Sequence, residues 1–213
     1  MHTSNHKNGG QKAFSIIELI VAMSIFLVLS SVMLADYNGM NSRITLDTNA
    51  HQIAQWVRQT QVSAMSVKHT DASANTFPGY GLHFDRATPR QFVFFADLNG
   101  DHKYTPFTSS AKCGDIGEEC EQVVTLPNGN IVQNLCSELA PAFTGTTVNC
   151  APPLSDANTS DIVFTRPDPD AIIGGMYSGT NYGTSSRAEI YLASVKGYTR
   201  MVEVWVTGQV SVQ

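Results

Sequence analysis

Residues Phe14 to Ala35 read FSIIELIVAMSIFLVLSSVMLA, and the reading of the whole chain turns on this run. It holds a single charge, Glu18, in an otherwise apolar and small-polar stretch. Wound as an α-helix it would measure roughly 33 Å at about 1.5 Å per residue, long enough to cross the hydrocarbon of a bilayer. Residues 1–13, MHTSNHKNGGQKA, are polar and carry Lys7 and Lys12. Positive residues ahead of a first apolar segment hold that end in the cytoplasm, so the rest of the chain is expected outside. A secretory signal peptide or signal anchor shares these features. A secretory signal, however, is cut after its apolar region at small residues in an A-x-A pattern, and Ser31 to Ala35 offers no convincing site. A carboxylate in the first turns of an apolar helix is also costly, and such residues tend to be functional.

The junction Lys12-Ala13-Phe14-Ser15-Ile16-Ile17-Glu18-Leu19-Ile20-Val21 resembles the class III signal of type IV pilins and type II secretion pseudopilins. The resemblance rests on a basic leader, a small residue, Phe, Glu four residues on, and an unbroken apolar run. It implies that a prepilin peptidase cuts between Ala13 and Phe14 and methylates the Phe14 amine. The family usually has Gly before the cut; Ala13 departs from that, which implies slower processing. Glu18 falls at the fifth mature position, where the family's Glu meets the N-terminal amine of a neighbouring subunit and sets register. The alternative for Glu18 is a carboxylate snorkelling to the headgroups. The implied partners are the peptidase, other pilin or pseudopilin subunits, the inner-membrane assembly platform and the membrane itself. The implied location is a single pass of the inner membrane before assembly, with the head outside the cytoplasm. After assembly it is a pilus or pseudopilus, periplasmic or at the cell surface.

Beyond the apolar run, Asp36-Tyr37-Asn38-Gly39 is weak helix sequence, and Asn38-Gly39 is the place where a kink is expected. Helical periodicity resumes with Leu46, Ala50, Ile53, Val57 and Ala64, with Trp56 beside them. Asp47, His51, Gln55, Arg58 and Gln59 lie mostly on the other side, the pattern of a helix packed on a domain. From about His69 the chain reads as β. Strands are expected at 80–85, 91–96, 122–126, 131–135, 161–165, 188–194 and 199–207, with a closing hairpin through Thr207-Gly208. Loops are expected at 143–160 and 174–186, which are rich in Gly, Pro, Asn, Ser and Thr. The expected class is α+β: a long N-terminal helix, its first half apolar and exposed and its second half packed, on a β-rich head. Four parts follow: a leader 1–13, a transmembrane or filament-core helix 14–35, an amphipathic half-helix 36–68, and a head 69–213. Asp161-Ile-Val-Phe-Thr-Arg-Pro-Asp, Glu189-Ile-Tyr-Leu and Arg200-Met-Val-Glu-Val-Trp-Val-Thr-Gly-Gln-Val-Ser-Val resemble the strands of GspH/FimT-like minor pilins, which implies a minor subunit.

Composition narrows the function. The 213 residues carry a formal charge of −5, with 15 % charged and 42 % hydrophobic. The charged fraction is low for a soluble chain but the apolar content excludes a disordered one. A pI near 5.6 argues against a general nucleic-acid binder, and a mean hydropathy of −0.09 excludes a polytopic membrane protein. Cys113, Cys120, Cys136 and Cys150 form an even set, which in an exported head reads as disulfides in one of three pairings. Sequential pairing closes the shortest loops and is preferred; a zinc site is the alternative, although C-x6-C and C-x13-C match no common zinc spacing.

The motif Asp97-Leu98-Asn99-Gly100-Asp101-His102 places oxygen side chains at alternate positions, as at the start of a Ca²⁺-binding EF-hand loop. His102 stands where that loop has Gly, and Thr108 where it has Glu, so a further carboxylate from Asp115, Glu118 or Glu119 is required. The competing reading is a bare hairpin turn at Asn99-Gly100 with solvated Asp side chains. No cofactor is required; Ca²⁺ is the one the motif could take. His51, His69, His83 and His102 sit in no catalytic motif, and the chain is not expected to be an enzyme. Three functional readings stay open: a minor pilin or pseudopilin subunit; a DNA-binding minor pilin, for which Arg187, Lys196 and Arg200 are the late basic residues; and a signal-anchored exported domain without a filament role.

Overall fold

The computed structural model describes residues 15–66, 77–106, 112–137, 150, 155–177, 180–182 and 184–213. The chain is α+β: one long helix, then an antiparallel β head. Helix α1 is Ile16–Met65. Among the described residues eleven strands follow: β1 Gly79–Asp85, β2 Gln91–Asp97, β3 Cys120–Thr125, β4 Ile131–Ser137, β5 Ser155–Ala157, β6 Thr159–Phe164, β7 Ala171–Tyr177, β8 Thr180–Tyr182, β9 Arg187–Ala193, β10 Thr199–Trp205 and β11 Val210–Val212. They form a six-stranded sheet in the order β3-β2-β1-β6-β7-β8 and a five-stranded sheet in the order β11-β10-β9-β4-β5.

The fold divides into two units, residues 1–41 and Ser42–Gln213. In the first unit the helix runs on through Asp36 to Gly39, where a kink was expected. Helix propagation is cooperative, and strong flanking turns carry a few weak residues at a cost of tenths of a kcal/mol each. In the second unit Leu46, Ala50, Ile53, Val57 and Ala64 are all buried, matching their spacing. They join one core with Tyr80, Leu82 and Phe84 of β1, Ile190 and Leu192 of β9, and Val202 and Val204 of β10. Both sheets thus turn one face to the same core, as the two-residue alternation in each strand requires. The helix has no basic residue in its last turn. Arg166 supplies the charge from a distant loop: its Nε donates to Ala64 O at 3.1 Å, and its Nη2 donates to Ser66 O. Its guanidinium lies 5.0 Å from the Phe77 ring.

Three strands depart from the expected loops. β7 and β8 occupy much of 174–186, and β5 with the start of β6 falls within 143–160. In β7, Gly174 and Gly175 read as a turn, yet they pair with Asp161 and Ser160 of β6. Tertiary pairing overrides the low strand preference of glycine.

Candidate functional site

The apolar half of α1 is the first candidate surface. From Ile16 to Leu34 its large apolar side chains are 48–78 % exposed. The helix is long and apolar enough to cross a membrane. Two of its hydroxyls are satisfied within the helix: Ser24 Oγ donates to Val21 O and Ser31 Oγ to Val28 O, each at 2.8 Å. Internal satisfaction of polar groups is what an apolar surrounding demands. Glu18 is exposed in the first turn, where the positive end of the helix dipole favours a carboxylate. Ala13 and Phe14 lie outside the described residues.

The Asp97 loop is the second candidate. Asp97, at the end of β2, is 3 % exposed. Its Oδ1 accepts the N–H of Gly100 at 2.8 Å and of Asp101 at 3.2 Å. Its Oδ2 accepts the His102 N–H at 3.1 Å and lies 3.2 Å from His102 Nδ1. Asn99 Oδ1 accepts the Asp101 N–H and Asp101 Oδ1 that of Lys103, both at 2.9 Å. His102 has a φ of 60°, so the position that is Gly in an EF-hand takes the left-handed conformation despite its side chain. Of the three carboxylates named from sequence, Glu119 is the one that reaches the loop: its Oε2 accepts the Thr105 N–H at 2.6 Å. Burial pushes the Glu119 carboxyl above its ordinary range; the Thr105 bond opposes this, and the charges of Asp97 and Asp101 add to it. Asp115 instead accepts the Lys112 N–H at 2.7 Å. Among the described residues no three His, Cys, Asp or Glu side chains are gathered as a metal site. Both Asp97 oxygens, Asn99 Oδ1 and Asp101 Oδ1 are engaged by backbone donors.

The cysteines form two disulfides, Cys113–Cys120 and Cys136–Cys150. The first joins Val93, Phe95, Val163 and Tyr104 in a small second core on the far face of β1 and β2. The second receives Asn134 Nδ2, which lies 3.7 and 3.6 Å from the two sulfurs. A bridge closing a 15-residue loop contributes about 3 kcal/mol.

Two buried clusters were not visible in the sequence. His83 Nδ1 lies 2.6 Å from Asp161 Oδ1, directly across the β1–β6 pair, with the Tyr104 ring 4.9 Å away. Neighbouring Ser160 points to the opposite face, so it cannot complete a nucleophilic triad with them. On β9 and β10, Glu189 and Glu203 are paired across the strands and both buried. Arg187 reaches both, at 3.5 and 3.2 Å. The Tyr191 hydroxyl donates to Glu189 Oε2 at 2.9 Å, and burial with that bond raises its pKa to about 12. Only the strand register brings these groups together. Of the late basic residues, Arg187 is thus held by two glutamates and Arg200 by Asp47 at 3.0 Å, whereas Lys196 has no ion pair among the described residues.

Residues 8–34 match the family model of the prokaryotic N-terminal methylation motif. Neither the curated proteins nor the solved structures contain a match to the chain. The motif supports a type IV pilin-like protein that is processed by prepilin peptidase and assembles with other pilin subunits.

Proposed function

We infer that the chain is a minor pilin or pseudopilin, a GspH/FimT-like structural subunit of a type IV pilus or a type II secretion pseudopilus. Prepilin peptidase cuts between Ala13 and Phe14 and methylates the new amine. The parts are a leader 1–13, a membrane and filament-core helix 14–35, a packed half-helix 36–68 and a head 69–213. The observation that carries this reading is the methylation motif ending in an apolar helix whose side chains are exposed on every face. Before assembly the helix sits in the inner membrane with the head outside; two disulfides suit that oxidising side. In a filament the same surface packs against neighbouring helices without lipid.

Glu18 gives the test. In a lipid-free core the carboxylate and a neighbour's terminal amine leave water together. Removing one member of a buried pair costs roughly 3–5 kcal/mol. Glu18→Ala is expected to leave cleavage, membrane insertion and head folding intact and to keep the subunit out of filaments, read by immunoblot of sheared filaments against membranes. Glu18→Gln fails nearly as badly, because it keeps the volume and loses the charge. Normal assembly of Glu18→Ala would reject the pairing.

Calcium at Asp97, Asn99 and Asp101 is part of the same reading. Two features support it: His102 adopts the turn that EF-hand loops reserve for Gly, and Glu119 feels the charges of Asp97 and Asp101. A bound cation would relieve that repulsion, with Glu119 exchanging the Thr105 N–H for the ion.

A further inference from the structure

A groove of about 480 Å³ lies in the head between α1 and the outer edge of the six-stranded sheet. That volume falls in the range of small-molecule sites, about 300–1,000 Å³. Its helix wall is Gln52, Gln55, Trp56, Gln59 and Ser63, three- and four-residue steps that place them on one face. The sheet contributes Phe94 of β2 and Gln122 of β3. These two face each other across the strand pair, and the irregularity next to them skips Glu121, so that an amide and not a carboxylate turns to the groove.

Two properties of the lining bear on what it could hold. First, it contains no charged side chain, although acidic residues outnumber basic ones in the chain, 18 to 13. Second, its hydrogen-bonding side chains are not used up within the described protein. Among the described residues none of the four glutamine amides and no Trp56 indole N–H has a hydrogen-bond partner. Gln61, two residues from Gln59 but outside the groove, donates instead to Pro169 O at 2.9 Å. Each amide offers two donors and a carbonyl acceptor, so the wall presents both kinds of group at close spacing. Trp56 is half-buried and packed on the core, with ring centroids 6.2 Å from Phe92 and 5.7 Å from Phe94, the first contact T-shaped and the second tilted. It is therefore a fixed aromatic surface with an apolar face and a free polar edge.

We propose that this groove binds a neutral saccharide. A pyranose has an apolar C–H face that lies on an indole and vicinal hydroxyls that both donate and accept, the two properties this lining complements. The absence of charge selects against uronic acids, phosphates and amines, which would lose their hydration without gaining a counter-charge.

The test uses the full chain in lauryl dimethylamine oxide, a detergent without a sugar headgroup. Cellotriose, triacetylchitotriose and, as the charged counterpart, trigalacturonate are titrated while tryptophan emission is followed. The expected result is a saturable change with at least one neutral trisaccharide, with half-saturation on the order of 1 mM, and none with trigalacturonate. Gln55 and Gln59 are exposed, so Gln55→Leu/Gln59→Leu leaves the fold intact. It is expected to raise half-saturation about thirtyfold at unchanged melting temperature, as two lost hydrogen bonds of about 1 kcal/mol each imply. Trp56→Phe, which keeps an aromatic core contact, is expected to abolish the emission change. Silence with every neutral trisaccharide, equal binding of trigalacturonate, or a response unchanged in Gln55→Leu/Gln59→Leu would each overturn the proposal.

Discussion

The two parts of α1 share one secondary structure and follow opposite rules. From Ile16 to Leu34 every large apolar side chain is about half exposed or more, and no face is polar. From Leu46 to Ala64 the apolar residues are mostly buried along one stripe, with Trp56 half-buried and Val62 exposed. The second pattern is that of a helix that finishes its packing within its own chain. The first has no packing partner within its own unit, and an apolar area of this size on a folded protein marks a membrane or protein contact. The difference separates what folds the head from what places it.

That contrast predicts unequal effects of the same substitution. Ile53→Ala, in the packed stripe, is expected to lower head stability by about 2–5 kcal/mol. Ile25→Ala, 55 % exposed, is expected to leave it within about 0.5 kcal/mol. Thermal unfolding of the full chain in micelles, followed by near-ultraviolet circular dichroism, compares them. Equal losses would mean that the apolar half is part of the head's core.

A smaller effect is expected at the Asp97 loop. With calcium at a hundredfold excess over Kd, linkage gives about 2.7 kcal/mol of stabilisation, which EGTA removes and Asp101→Ala makes insensitive to EGTA. An unchanged melting temperature on chelation would leave the loop as a turn.

The smallest effect is a slope with pH. Burial raises the Glu119 pKa, so the folded state keeps that proton to higher pH than the unfolded chain does. Its favourable contribution is complete below the ordinary carboxylate range and is lost as pH rises through the raised value. Glu119→Gln keeps an acceptor for the Thr105 N–H and cannot ionise. Its melting temperature relative to the parent is expected to climb between pH 4 and pH 7. A constant difference across that range would show that Glu119 has no raised pKa.

Periodicity made both halves of the helix legible before any coordinates: an unbroken apolar run for one, three- and four-residue steps for the other. It also located the alternation in β10, where Val202 and Val204 are buried. It failed at β7, because two adjacent glycines carry no side-chain pattern, and their strand state comes from pairing with β6. It named Glu119 only as one of three carboxylates, since the choice depends on where the disulfide-bridged segment 113–120 returns. His83–Asp161 and Glu189–Glu203 are register facts, and a lone chain carries no register. The glutamines near Trp56 read as a solvated face, because sequence does not reveal that Gln122 and Phe94 close the other wall.

The central claim is that the apolar half begins at a processed Phe14, and intact mass with N-terminal sequencing of the protein from cells tests it most directly. The account predicts a chain that starts at an N-methylated Phe14 and lacks Lys7 and Lys12, with Ala13→Gly processed at least as fast. A protein that keeps Met1, or one cut after Ala35, would contradict it.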